Sequence, residues 1–154
     1  MKKGDYLSRD IADIKSLLKK VPEHFDASHV IAAFFGALFF GFTFVMKGLL
    51  FRVGLGLQSW NIFMIVIATV LIVSAEIYFI GYRRVENKHE RKFGQFWLKR
   101  IVVYYVIALI VASLLLYIYG LFSGLLPGDA FRLIIAVSFP AAIGAASADL
   151  LRKY

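Results

Sequence analysis

The sequence predicts an all-α polytopic membrane protein with four transmembrane helices preceded by an N-terminal amphipathic helix. Hydrophobic residues make up 60% of its 154 positions and charged residues only 18%, whereas soluble domains are about 45–50% apolar. A chain this short cannot bury that much apolar surface in a soluble core. Lipid must therefore solvate part of the apolar surface. We divide the chain into a cytoplasmic amphipathic segment, 1–28, and a transmembrane domain, 29–154.

An apolar stripe precedes the first span. Its members recur at alternating steps of four and three, which places them on one face of a helix: Leu7, Ile11, Ile14, Leu18 and Val21. Pro22 ends this helix. The helix either lies on the inner membrane surface or forms a short coiled coil that joins subunits.

Four segments approach or exceed the ~20 mostly apolar residues that cross a bilayer. They are Val30–Phe51, Trp60–Tyr82, Ile101–Leu126 and Phe131–Leu151. The connections that follow the first and third spans are short. Little of the chain is therefore left to form a domain outside the membrane.

Basic residues predict the direction of the spans. Of the 18 lysines and arginines, only Lys47, Arg52 and Arg132 lie outside the N-terminal segment, the middle connection and the C-terminus. By the positive-inside rule, both termini and the middle connection are cytoplasmic. Because these residues border apolar segments, the net charge of +8 indicates contact with anionic lipid headgroups rather than nucleic acid.

Glu76 lies inside the second apolar segment. An ionised carboxylate in lipid costs about 2.5–3.5 kcal/mol and normally faces a protein interior or a wet cavity. Glu76 is therefore either a proton or cation site or a carboxylate bonded between helices. Its depth, about 10 Å inside the cytoplasmic edge, leaves four possible partners: Tyr104, Tyr105, Ser147 and Arg100.

Asp149 ends the fourth span beside Arg152 and Lys153. This position favours a solvated charge at the level of the lipid headgroups. Alternatively, Glu76 and Asp149 share an inner vestibule, where two neighbouring carboxylates would raise the proton affinity of one or attract a cation.

Small residues recur at steps of four in the first and last spans. Such rows let helix backbones approach closely, and we assign helix packing to Ala33, Ala37, Gly41, Pro140 and Gly144. The alternative is a helix broken at Pro140 that exposes backbone carbonyls to an ion.

Signals for enzymatic chemistry are missing from the sequence. Cysteine is absent, and the three histidines show no metal-ligand spacing. No nucleophile elbow, phosphate loop or dinucleotide fingerprint occurs. We therefore expect no enzymatic activity, no metal and no cofactor.

Three stretches together carry a resemblance: Glu76–Val85, Arg91–Arg100 and Ser138–Leu150. They resemble a prokaryotic, notably archaeal, family of small integral membrane proteins whose function is unknown. The resemblance implies a multi-pass membrane protein and no particular substrate.

The sequence favours an oligomeric channel or ion transporter for a cation or protons, with Glu76 in the pathway. Four short helices rarely enclose a conduit alone, so a homo-oligomer is expected. The alternative is a scaffold or assembly protein whose basic cytoplasmic face binds lipid or a partner. A small four-helix exporter is a third possibility, which the absence of a carboxylate from the first span disfavours.

Overall fold

The computed structural model describes residues 27–82 and 93–151, and within these ranges it contains helices and no β-strand. The helices are α1 (Ala27–Met46), α2 (Leu49–Leu55), α3 (Ser59–Glu76), α4 (Phe93–Ile118) and α5 (Pro127–Leu151). A π-helical turn, Ile77–Gly81, continues α3. Four of these helices, α1, α3 with its extension, α4 and α5, are long and apolar enough to cross a membrane. The predicted all-α, four-span architecture is therefore confirmed, while the amphipathic stripe lies outside the described residues.

The last helix, α5, is the centre of the bundle. It packs against α1, α4, α3 and α2, and 72% of its membrane-length stretch is buried, compared with 17% for α3. Ala141, Ala142, Ala145 and Ala146 are completely buried. Small side chains on several faces let α5 approach all its neighbours, and α3 is left at the periphery.

A close backbone contact joins α1 to α5 at Gly36 and Gly144. A Cβ atom added to Gly144 would lie 2.5 Å from the carbonyl oxygen of Gly36 and 2.7 Å from the side chain of Phe40. Ala33 and Ala37 on the same side of α1 are fully buried. The rows of small residues thus lie at helix contacts.

Pro140 lies inside α5, and the helix continues past it to Leu151. The alternative of a helix broken at this proline is therefore wrong. Pro140 is itself buried in the interior of the bundle.

Two predicted span ends need correction. The first span ends at Met46 rather than Phe51, because Gly48 adopts a left-handed conformation (φ 63°) before α2 begins. The third ends at Ile118 rather than Leu126, and Gly120 follows with φ 66°. Glycines in this conformation commonly end helices.

The four spans alternate in direction, so α1 and α4 begin where α3 and α5 end. We call this end of the bundle the proximal end. The opposite, distal end carries the exposed aromatic side chains of Trp60, Tyr117 and Tyr119, which is typical of a membrane interface.

Candidate intramembrane polar site

Polar side chains from all four spans meet near the proximal end. Residue His29 comes from α1, Ser74 and Glu76 from α3, Trp97, Arg100 and Tyr104 from α4, and Ser147 and Asp149 from α5. They form three hydrogen-bonded groups, one around each carboxyl and a third that pairs Ser74 with Trp97.

The first group surrounds Asp149, which is fully buried. Nδ1 of His29 lies 2.6 Å from Asp149 Oδ1, a separation at which the ring nitrogen donates to the carboxylate. On the other oxygen, Oδ2, the hydroxyl of Tyr104 donates a hydrogen bond, and Nη1 of Arg100 lies 3.3 Å away. Arg100 also donates to the Tyr104 hydroxyl at 3.2 Å.

This Asp149 network joins three spans by charge and hydrogen bonding. Arg100 is only 3% exposed and His29 only 4%, so water screens the attraction between Arg100 and Asp149 weakly. Both carboxylate oxygens accept hydrogen bonds, which offsets the cost of removing the charge from water. The network therefore fastens the ends of α1 and α5 to α4.

The expectation that Asp149 is solvated among the headgroups is wrong. Its side chain follows Ala141 and Ala145 at steps of four along one buried face of α5, so the helix turns it into the bundle. The positive charge that balances it comes from Arg100 on another helix.

The second group surrounds Glu76. The Ser147 hydroxyl donates to Glu76 Oε1 at 3.0 Å. The other carboxyl oxygen, Oε2, is shielded from solvent and accepts no hydrogen bond from any described residue. A buried carboxyl oxygen without a partner is costly in apolar surroundings and calls for an explanation.

The backbone around Glu76 is also unusual. Glu76 is the last residue of α3, and the π-helical turn Ile77–Gly81 begins directly after it. Single π-helical turns inside α-helices occur frequently at functional sites. Two residues before Glu76, the Ser74 hydroxyl oxygen accepts a 2.7 Å hydrogen bond from Trp97 Nε1, which ties α3 to α4.

The structure separates residues that the sequence grouped together. Among the partners considered for Glu76, Ser147 bonds it, whereas Arg100 and Tyr104 bond Asp149. Tyr105 is directed to Ser138, deeper in the bundle. The two carboxyls therefore have separate hydrogen-bond partners.

Sequence analysis missed His29. The three histidines were judged only by metal-ligand spacing, which His29 lacks. A usable signal was its position at the start of an apolar helix, at the same end of the bundle as Asp149. Polar residues near that edge of two adjacent spans are natural partners in a membrane.

Toward the distal end the interior is apolar. Ala108, Val111 and Ala112 of α4 are fully buried, and the buried hydroxyls of Thr69 and Ser138 donate to carbonyls of their own helices. The described side chains thus place apolar packing between the polar site and the distal end of a single bundle. No group of three His, Asp or Glu side chains that could hold a metal ion occurs among them.

Four apolar spans and a polar site between them define the class of this molecule as a polytopic α-helical membrane protein. Over residues 10–151 the sequence matches the family described as "Putative integral membrane protein (DUF2391)", and the chain belongs to this family. The resemblance to a family of small integral membrane proteins is thereby confirmed. No curated protein and no solved structure matches the chain.

Proposed function

We propose that this protein is an ion transporter or channel of the cell membrane, with Glu76 in the pathway of a proton or cation. The observation that supports this most directly is Oε2 of Glu76, which is shielded from solvent and accepts no hydrogen bond from the residues that the structure describes. A carboxyl inside a span costs several kcal/mol and normally serves a transported ion or proton relay. A purely structural carboxyl would be expected to have both oxygens bonded, as Asp149 has.

We further propose that the working unit is a homo-oligomer with both termini in the cytoplasm and no enzymatic activity. Apolar packing fills a single bundle on the distal side of the polar site. A continuous pathway therefore needs surfaces from more than one copy. The peripheral helix α3, only 17% buried over its membrane-length stretch, carries Glu76. A pathway along α3 between neighbouring copies would place this carboxyl at its wall.

A membrane scaffold is the second proposal, and a different observation favours it. The Asp149 network and the tight contact of Gly36 with Gly144 fasten α1, α4 and α5 into a closely packed unit. A rigid bundle of this kind can serve as a platform, with the basic segments binding anionic lipid or a partner. In that case Glu76 would only attach α3 to α5.

Flux measurements distinguish the two proposals. Purified protein in liposomes would be tested for H⁺, Na⁺, K⁺, Ca²⁺ and anion flux, for the parent and for Glu76→Gln. The amide preserves the shape and removes the charge, so flux or ion selectivity should change while the protein remains folded. The matched control is Asp129→Asn, a half-buried carboxylate at the distal end, which should leave flux unchanged.

Two outcomes would contradict ion transport through Glu76. Unaltered flux of every ion in a folded Glu76→Gln protein would remove Glu76 from the pathway. Absence of any flux in the parent protein would leave the scaffold as the supported function.

A further inference from the structure

We infer that the species bound at Glu76 is a proton, so that the carboxyl alternates between its ionised and its protonated form. This inference rests on the proposed function, in which Glu76 lies in an ion pathway. The two carboxyls of the bundle have partners of different chemistry, and this difference points to a proton.

The partner of Glu76 suits both protonation states. A serine hydroxyl is one donor and also an acceptor. The Ser147 hydroxyl can therefore donate to Glu76 Oε1 when the carboxylate is ionised, and can accept from the acid O–H when it is protonated. Its 3.0 Å separation from the carboxyl allows either direction with little rearrangement.

Asp149 supplies the contrast within the same helix. Arg100 has donors only and cannot lose its proton in a protein, and it lies 3.3 Å from Asp149 Oδ2. His29 and Tyr104 also occupy the oxygens of Asp149. Both oxygens of Asp149 thus face donors, including one permanent cation, whereas the Ser147 hydroxyl can bond either state of Glu76.

Among residues 27–82 and 93–151, a metal cation has too few ligands at Glu76. Ca²⁺ takes about 6–8 oxygens, and Mg²⁺ needs near-octahedral coordination. The nearby hydroxyl of Ser74 already donates to the carbonyl of Val70 at 2.5 Å and accepts from Trp97. Asp149 is occupied by its own partners, so it cannot act as a second anionic ligand.

The apolar surroundings also favour proton exchange. Leu71 and Phe79, on either side of Glu76 in the chain, are more than 60% exposed on the outside of the bundle, where lipid or another copy would contact them. In the exchange a hydronium ion gives its proton to the carboxylate, leaving a neutral carboxylic acid and water, and release on the other side is the reverse. The neutral acid is far less costly next to lipid than the carboxylate.

Modification by a hydrophobic carbodiimide tests this inference without relying on flux. Dicyclohexylcarbodiimide adds to a protonated carboxyl in apolar surroundings and leaves a stable adduct that peptide mass spectrometry locates. The full-length protein in lipid nanodiscs would be labelled across a pH series. Glu76 should be labelled. Above the pH at which half of the Glu76 carboxyls are protonated, the labelling rate should fall about tenfold for each pH unit. Asp149 should remain unlabelled.

The controls separate a proton site from a metal site. Glu76→Gln should lose only the adduct assigned to residue 76. At fixed pH, an excess of Na⁺, K⁺ or Ca²⁺ should leave the labelling rate of Glu76 unchanged. Protection by one of these cations, or no labelling of Glu76 at any pH, would overturn the inference.

The inference and the proposed function can fail separately. If Glu76 is labelled in a pH-dependent way but liposomes show no flux, the proton site stands and transport is contradicted. Flux that depends on Glu76, together with protection by a metal cation, would preserve transport and contradict the proton.

Discussion

At the scale of single residues, the two carboxyls of the bundle differ because of what donates to them. Asp149 is fully buried with an arginine, a histidine and a tyrosine, so its charge is balanced and its oxygens are bonded. Among the described residues, the hydrogen-bond partner of Glu76 is one serine hydroxyl. The first arrangement stabilises a fixed structure, and the second is the one in which we propose that the carboxyl gains and loses a proton.

Removing one member of the Asp149 network should destabilise the protein strongly. We expect Asp149→Ala to lower the free energy of unfolding by about 3–5 kcal/mol, because the buried Arg100 loses the carboxylate beside it. Adding Arg100→Met to Asp149→Ala should recover part of this loss, since it removes the buried charge that faced Asp149. Thermal or denaturant unfolding in detergent micelles measures both.

The distal carboxylate Asp129 is the matched control. Its contact with Arg132 is a partly exposed ion pair of 3.3 Å within one helix, which contributes about 0–1 kcal/mol. Asp129→Ala should therefore have little effect. An equally small effect of Asp149→Ala would contradict the structural role of the network.

The burial of Asp149 could not be predicted from its neighbours in the sequence. Its partners are distant in the chain, Arg100 by 49 positions and His29 by 120, and the adjacent Arg152 and Lys153 suggested a solvated position instead. Ser147 was among the partners considered for Glu76 because depth in the membrane can be estimated from residue counts. Which of several partners at one depth is chosen depends on helix rotation, which hydropathy does not reveal.

At the scale of helices, α5 organises the bundle because its side chains are small. Gly144 allows α1 to approach until backbone meets backbone, and Phe40 closes over the contact. Van der Waals packing of this kind is a main source of helix association in lipid, where no hydrophobic force acts between apolar helices.

Adding one methyl group at this contact should destabilise the bundle. We expect Gly144→Ala to cost about 1–3 kcal/mol of unfolding free energy, because the new Cβ would overlap Gly36 and Phe40. The control is Gly94→Ala in α4, where a Cβ would meet nothing within 4 Å. This change should be neutral or stabilising by up to ~1 kcal/mol, since alanine favours helix. Similar unfolding of both variants would contradict the close approach of α1 and α5.

The length of the apolar segments is enough to predict the four spans. It is not enough to predict where the helices end. Hydropathy continues through Leu49, Leu50 and Phe51, so the first span was extended to Phe51, whereas the helix ends at Met46. The conformation of Gly48 decides this end. A left-handed glycine is a local backbone event that leaves no trace in an average over apolar residues.

At the scale of the whole molecule, the bundle has two different ends. Its polar side chains converge at the proximal end, and its core toward the distal end includes the apolar residues Leu116, Leu133 and Val137. A proton bound at Glu76 would therefore exchange most readily with the proximal side. Exchange with the distal side would need a route along the outside of the bundle, which is why an oligomer is part of the proposed function.

The sidedness of the bundle leads to a direct test of its orientation. The chain has no cysteine, so a single introduced cysteine is the only thiol that a membrane-impermeant maleimide can modify. Ser59 and Ser123 are exposed at the distal end, whereas Asn87 belongs to the basic connection between α3 and α4. Since basic connections remain in the cytoplasm, Ser59→Cys and Ser123→Cys should react on intact cells, and Asn87→Cys only after permeabilisation. Labelling of Asn87→Cys on intact cells would reverse the orientation and place the polar site at the outer side.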